Sequence, residues 1–291
     1  MRLAEYWITR ILLAVFSWFP MGPATLRIWF CSDLLDLAIP RLRKIAMRNL
    51  ELAGLPNREE IADGVFRSIA RLVVHFARFP RMTPANIQHW IRYDGLDNFT
   101  TALAKGRGVL VATAHLGNWE LSAFAHAWMT APMHIVVRPL DNARIDELVE
   151  HRRALSGNHI IRKKEAAREI LRALSKGEAV GILMDQNVGL TEGVFVDFFG
   201  VKACAGTAFV KFAHHSKAVV VLGFALWSDT EKRYILRFYP EIPMSGNVQE
   251  DTQRIHSMLE GVIREYPDQW LWIHRRWKTR PPGESSVYYT M

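Results

Sequence analysis

His115-Leu116-Gly117-Asn118-Trp119-Glu120 sets an imidazole five positions ahead of a carboxylate. Such a pair can take a proton from a hydroxyl, because a carboxylate beside an imidazole fixes its tautomer and raises its basicity. On a straight helix, residues advance by roughly 100° each, so a separation of five leaves the two side chains about 140° apart. They meet only where His115 lies in the turn before a helix and Glu120 in its first turn. The flanking residues predict that arrangement. Gly108-Val109-Leu110-Val111-Ala112-Thr113 is an apolar, β-rich run, and Gly117 permits a tight backbone after it. Each residue also has an ordinary explanation: Glu120 as an acid at a helix N-terminus, His115 as a hydrogen-bonded residue at a core edge.

The elements that would position this pair follow from the hydrophobic pattern. Residues 1–90 read as mainly helical, and one helix runs from about Arg58 to Phe79, with Ile61, Val65, Ile69, Leu72, Val73 and Phe76 at helical spacing. Pro80 and Pro84 end it. From residue 90 onward, apolar runs at 108–113, 133–137, 179–184, 218–224 and 234–239 alternate with helical stretches at 119–129, 142–155, 164–175, 206–216 and 250–265. This predicts an α/β fold: a mostly parallel or mixed central sheet covered by helices, with a helical N-terminal region (1–90) and an α/β core (91–291), built as one continuous unit. Open α/β sheets bind ligands at the carboxyl ends of their strands. His115, Arg138 and Asp185 each follow one of the predicted strands and so converge on one cleft, although Arg138 also fits a surface charge and Asp185 a turn opener.

The chain has 291 residues, 49% of them hydrophobic, which suffices for a large core. Its net charge of +8 favours an anionic partner. The two cysteines, Cys31 and Cys204, are far apart and make neither a disulfide framework nor a metal-ligand cluster. Residues 3–19 are mostly apolar but are interrupted by Glu5 and Arg10, and the run from Ile11 to Phe19 falls short of the roughly 20 residues of a spanning helix. Trp7, Trp18 and Trp29 recur every eleven residues, so the segment reads as a helix lying in a membrane surface, with a buried helix capping the core as the alternative. No signal-peptide cleavage site follows it, which places the body in the cytoplasm.

Several chemistries lack their motifs. There is no Gly-x-Ser-x-Gly elbow, no His-Glu-x-x-His, no P-loop and no Rossmann glycine fingerprint. Base catalysis by His115, with Glu120 stabilising the imidazolium, remains. Basic residues gather at Arg152, Arg153, Arg162, Lys163, Lys164 and Arg168, and again in His274-Arg275-Arg276-Trp277-Lys278-Thr279-Arg280. Guanidinium groups bind phosphate through paired hydrogen bonds, and the plainer reading, a solvated helix face, suits Lys163 to Arg168 in the first group. The second interleaves with Trp270, Trp272 and Trp277, a mixture suited to a membrane surface or to single-stranded nucleic acid.

Three blocks in order resemble the bacterial lipid A biosynthesis acyltransferase family of lauroyl/myristoyl type, within the glycerolipid acyltransferase superfamily. They are the His115–Glu120 block, Asp185-Gln186-Asn187 with Gly193-Val194-Phe195-Val196-Asp197-Phe198-Phe199-Gly200, and Pro267-Asp268-Gln269-Trp270-Leu271-Trp272-Ile273-His274-Arg275-Arg276-Trp277-Lys278. The resemblance implies an enzyme moving a fatty acyl chain from an acyl carrier protein thioester, or from acyl-CoA, to a hydroxyl of an anionic membrane glycolipid. It implies His115 and Glu120 as the catalytic dyad, Asp185 and Asn118 in support, and an essential arginine that falls on Arg152 or Arg153, with Arg138 a further candidate. Arg275, Arg276 and Lys278 are expected to bind substrate phosphate or the membrane surface, and the backbone of Phe199 and Gly200 to hold an oxyanion. No metal or other cofactor and no nucleic acid is expected. Asp197 stands where many members have Pro, a departure that bears on loop shape and acceptor preference. The expected location is the cytoplasmic face of the bacterial inner membrane. Other readings are another lipid acceptor, such as a phosphatidylinositol mannoside or a lysophospholipid, and a non-enzymatic basic protein that binds membranes or nucleic acid.

Overall fold

The computed structural model describes residues 2–18, 32, 36–37, 39–162 and 166–288. In chain order the elements are α1 (Arg2–Trp18), α2 (Pro40–Leu52), α3 (Arg58–Ala77), β1 (Ile91–Asp94), α4 (Leu96–Ala104), β2 (Val109–Thr113), α5 (Trp119–Met129), β3 (His134–Val137), α6 (Ala143–Ala154) and β4 (His159–Arg162). They continue with α7 (Ala166–Ser175), β5 (Ala179–Leu183), β6 (Gly193–Phe198), β7 (Val201–Gly206), α8 (Ala208–Ser216), β8 (Val219–Ser228), β9 (Arg233–Phe238) and α9 (Val248–Glu265).

β2 reads as an unbroken apolar run because both faces of its sheet are covered. Its neighbours are parallel β5 and β8, in a sheet ordered β1-β9-β8-β2-β5-β3-β4. Only β8 and β9 pair antiparallel in that sheet. Alternate residues serve opposite cores, as the two-residue period of a strand demands. Leu110 and Ala112 of β2 face the core that holds Leu50 of α2, Val65 of α3, Phe209 of α8 and Leu259 of α9. Val109 and Val111 face the other core, with Phe99 of α4, Leu121 and Phe124 of α5, and Leu13 of α1. The α/β class and the strands at the five apolar runs agree with the sequence pattern.

The pattern missed β1, β4 and the β6–β7 hairpin. β1 (Ile91-Arg92-Tyr93-Asp94) and β4 (His159-Ile160-Ile161-Arg162) lie at the sheet edges and mix charged with apolar residues, whereas the equally short β3 is a nearly unbroken apolar run. The hairpin turns at Phe199 and Gly200, both with positive φ (54° and 73°), the geometry of a two-residue hairpin loop. Among the described residues no helix is long and apolar enough to cross a membrane.

Candidate active site

The turn after β2 is built before any chemistry is. Gly117 has φ +64°, and a Cβ there would lie 2.0 Å from the Ala225 carbonyl oxygen, so only glycine fits. Its N–H donates to the Gln269 carbonyl at 2.9 Å, and the Asn118 N–H donates to that of Ala225 at 2.9 Å. Asn118 Oδ1 accepts from Leu121 N at 3.0 Å and caps α5, so the supporting role expected of this residue is that of a cap. His115 therefore sits in the turn and Glu120 in the first turn of α5, as the spacing requires.

The imidazole finds a different acid from the one expected. His115 Nδ1–H donates to Asp185 Oδ1 at 2.8 Å, and its backbone N–H donates to Asp185 Oδ2 at 3.0 Å. Trp270 Nε1–H adds a third bond to Oδ2, at 2.8 Å. The Asp185 side chain is 2% exposed and that of His115 17%. Burial alone would raise the Asp185 carboxyl, but the charge and hydrogen bond of His115, with those from Trp270 and the backbone, hold it well below the ordinary range. Burial likewise pulls His115 down. The charge and hydrogen bond of Asp185 outweigh it, Glu120 adds a smaller push, and the imidazole ends above its ordinary value. With Nδ1–H committed to Asp185, Nε2 carries the lone pair, and the Gln186 side-chain amide approaches it at 3.4 Å.

Glu120 is instead clamped by Arg153. Nε donates to Oε2 at 2.8 Å and Nη2 to Oε1 at 2.5 Å, a two-bond fork that consumes both oxygens. Glu120 thus reaches His115 through its charge, and direct contact between the two is replaced by Asp185 on one side and Arg153 on the other. The adjacent arginines Arg152 and Arg153 make different contacts. Arg152 points away and donates Nη1 to the Phe76 and Ala77 carbonyls, closing the end of α3.

Other expected site residues fall elsewhere. Arg138 follows β3 as predicted but is exposed, without a hydrogen bond or ion pair among the described residues. The Phe199 N–H is taken by Glu260 Oε2 of α9 at 2.6 Å, in the hairpin turn, so that N–H is not free to hold an oxyanion. Arg276 is fully buried, with Nη1 donating to the Cys204 carbonyl at 2.6 Å, so it cannot form a surface. Arg275 is half-buried over the Tyr288 ring, and Lys278 alone of the three is exposed. Trp270, Trp272 and Trp277 are core residues rather than interface anchors. Lys163 and Lys164 lie outside the described residues, as does Trp29.

The third block acts as a brace. Leu271 N–H donates to the His115 carbonyl at 2.9 Å, Asn187 N–H donates to His274 Nε2 at 3.1 Å, and the Asn187 side chain donates Nδ2 to Thr279 Oγ1 and accepts from the Thr279 backbone N–H, both at 2.9 Å. Sequence reasoning missed Gln186 and the direct Asp185–Trp270 contact. The only signal was their membership of the second and third blocks.

An apolar slot runs between α5 and the sheet. Trp119, Glu120 and Arg153 line its end nearest His115, and the Trp119 ring meets the imidazole edge-on at 4.9 Å. Deeper, the slot is walled by Val111, Ile135 and Leu183 and reaches Met133, His126 and Phe238.

A strand-end histidine paired with a buried acid beside an apolar slot is the architecture of a group-transfer enzyme, and the comparisons name the class. Residues 1–279 match the family of bacterial lipid A biosynthesis acyltransferases. The chain belongs to that family: it is an O-acyltransferase of lipid A biosynthesis, with an acyl donor and a lipid A-type glycolipid acceptor. It is 30% identical to the lipid A biosynthesis palmitoleoyltransferase of Escherichia coli (strain K12), over 98% of this chain and 95% of the relative. It is 29% identical to the lauroyltransferase of the same organism, over 85% of this chain and 83% of the relative. Against its myristoyltransferase the figure is 23%, over 84% and 78%. The non-enzymatic reading loses both its premise and its buried Arg/Trp surface.

Proposed function

We propose that the protein transfers a fatty acyl chain from an acyl carrier protein or coenzyme A thioester to a hydroxyl of a lipid A precursor, with His115 as general base. The observation that carries this reading is the Nδ1–Asp185 bond, which leaves His115 Nε2 as the ring nitrogen able to accept a proton, beside the slot. Nε2 takes the proton of the acceptor hydroxyl as its oxygen attacks the thioester carbonyl. The resulting tetrahedral intermediate expels the thiolate, which takes the proton back from the imidazolium. Asp185 stabilises the imidazolium at contact and Glu120 at longer range, while the Glu120–Arg153 fork holds the wall past which the thioester carbonyl is presented. The apolar slot takes the acyl chain and keeps water from the thioester.

The acceptor lies in a membrane, and α1 supplies a surface to meet it. Leu3, Trp7, Ile8, Ile11, Leu12, Val15 and Trp18 are exposed along this helix, while Leu13 faces the core. Both ends are tied to the body: Asn142 Nδ2 donates to the Arg2 carbonyl at 2.8 Å, and Arg81 Nη1 to that of Ser17 at 2.6 Å. A rigidly held apolar stripe of this kind lies in the interface of the bacterial inner membrane, on its cytoplasmic face.

The test is transfer of labelled acyl chain from each donor to a lipid A precursor. The wild-type protein is expected to transfer it, and His115→Ala to lose about 10²–10⁴-fold in rate with an unchanged melting temperature. Full activity in folded His115→Ala removes the mechanism.

A further inference from the structure

The relatives carry three different acyl names, palmitoleoyl, lauroyl and myristoyl, so membership does not set the chain this protein takes. The slot does. We propose, on the reading above that it holds the acyl chain, that Met133 seated over Gly181 is its stop, and that it admits a chain of about nine to twelve carbons.

The length follows from the walls. Along α5, Trp119 to His126 spans about 10 Å at ~1.5 Å per residue. Along the sheet, Val137 to Met133 spans about 13 Å at ~3.3 Å per residue. An extended chain advances ~1.2 Å per atom, taking the peptide backbone as the gauge, so the slot holds about eight to eleven atoms. The carbonyl carbon stays outside, near His115.

The stop is adjustable on one side and fixed on the other. Met133 N–H donates to Asn158 Oδ1 at 3.0 Å and its carbonyl accepts from His159 N at 3.0 Å, so the backbone is pinned. Its thioether is unbranched and flexible. The Met133 methyl lies 3.0 Å from where a Gly181 Cβ would stand, filling the notch that the glycine leaves in β5. Gly181 has no positive φ and pairs with Val111 and Ile135, so an alanine suits its backbone there. Gly181→Ala pushes the thioether back along the slot and shortens it. Met133→Ala empties the notch and lengthens it.

The experiment measures binding of saturated fatty acids of eight to sixteen carbons to the full chain, with acyl transfer from matching thioesters run alongside. The wild-type affinity is expected to peak at about nine to twelve carbons. In Met133→Ala the peak moves up by about two carbons, in Gly181→Ala it moves down by about two, and in the double variant the Gly181→Ala effect disappears. An affinity that rises steadily to sixteen carbons in the wild type, or a peak unmoved by either substitution, overturns the stop. Met133→Ala removes atoms without adding a contact, so it keeps the test decisive if Gly181→Ala fails to fold. Peaks that shift as expected while no chain is ever transferred overturn the functional reading and leave the stop standing.

Discussion

The strand end at His115 and the segment from Trp270 to Lys278 have similar ingredients, histidine and tryptophan beside charged residues, and opposite fates. At the strand end one ring nitrogen stays available: His115 lends Nδ1 to a buried acid and keeps Nε2 for chemistry. In the C-terminal segment His274 spends Nε2 on the Asn187 N–H, and burial pushes its pKa down to about 4. The difference teaches that a polar residue's function is decided by which of its atoms the fold leaves unspent. The tryptophans divide in the same way. Trp119 lines the slot, whereas Trp270 and Trp272 sit in the core and spend their indole N–H groups on Asp185 and the Pro267 carbonyl.

Four substitutions sharpen or break that contrast. Asp185→Asn is expected to cost about 10³-fold in kcat/KM, because the base loses its partner. Its pH profile carries the sign. Asp185 raises His115, and the neutral imidazole is the active form, so the wild-type acidic limb lies above the ordinary histidine value. With Asn the lift is gone and burial, which lowers the imidazole, prevails, so the limb moves to lower pH as the rate falls. An unmoved limb would detach Asp185 from the base.

Trp272→Ala is expected to lose about 3–5 kcal/mol of stability in denaturant unfolding, the cost of emptying a fully buried tryptophan site. If it instead lost vesicle binding at unchanged stability, the C-terminal segment would be a surface and the contrast would fail.

The adjacent arginines separate at smaller cost. Arg153→Ala should lower kcat/KM by roughly 10–100-fold, from the ~1.5–3 kcal/mol of a hydrogen bond to a charged group. Arg152→Ala should leave the kinetics intact and cost about 1 kcal/mol at the end of α3, read as a lower melting temperature. Equal kinetic losses in both would dissolve the distinction.

Much of the fold was legible because central parallel strands are continuously apolar, and β2, β5 and β8 announce themselves. The edge strands β1 and β4 were not, since their charged residues break the apolar run that marks the equally short β3. At the site, the turn at Gly117 and the placement of His115 and Glu120 followed from residue type and spacing. The partner of His115 did not. Asp185 is seventy positions away and reaches it because β2 and β5 are neighbours in the sheet. Nor was the choice between Arg152 and Arg153 legible. Neighbours on a helix point about 100° apart, and only the packing of α6 shows that one meets Glu120 and the other the end of α3.

The sequence by itself determined the alternation of strands and helices, the glycine turn that puts an imidazole at a strand end, and the three blocks that mark the family, since these rest on local conformation and order along the chain. Tertiary structure decided which acid holds the imidazole, which arginine clamps Glu120, and that Trp270, Trp272, Arg276 and Trp277 are core. Those are contacts between distant residues, and chain proximity says nothing about which hydrogen-bonding groups remain unspent once the sheet has closed over its two cores.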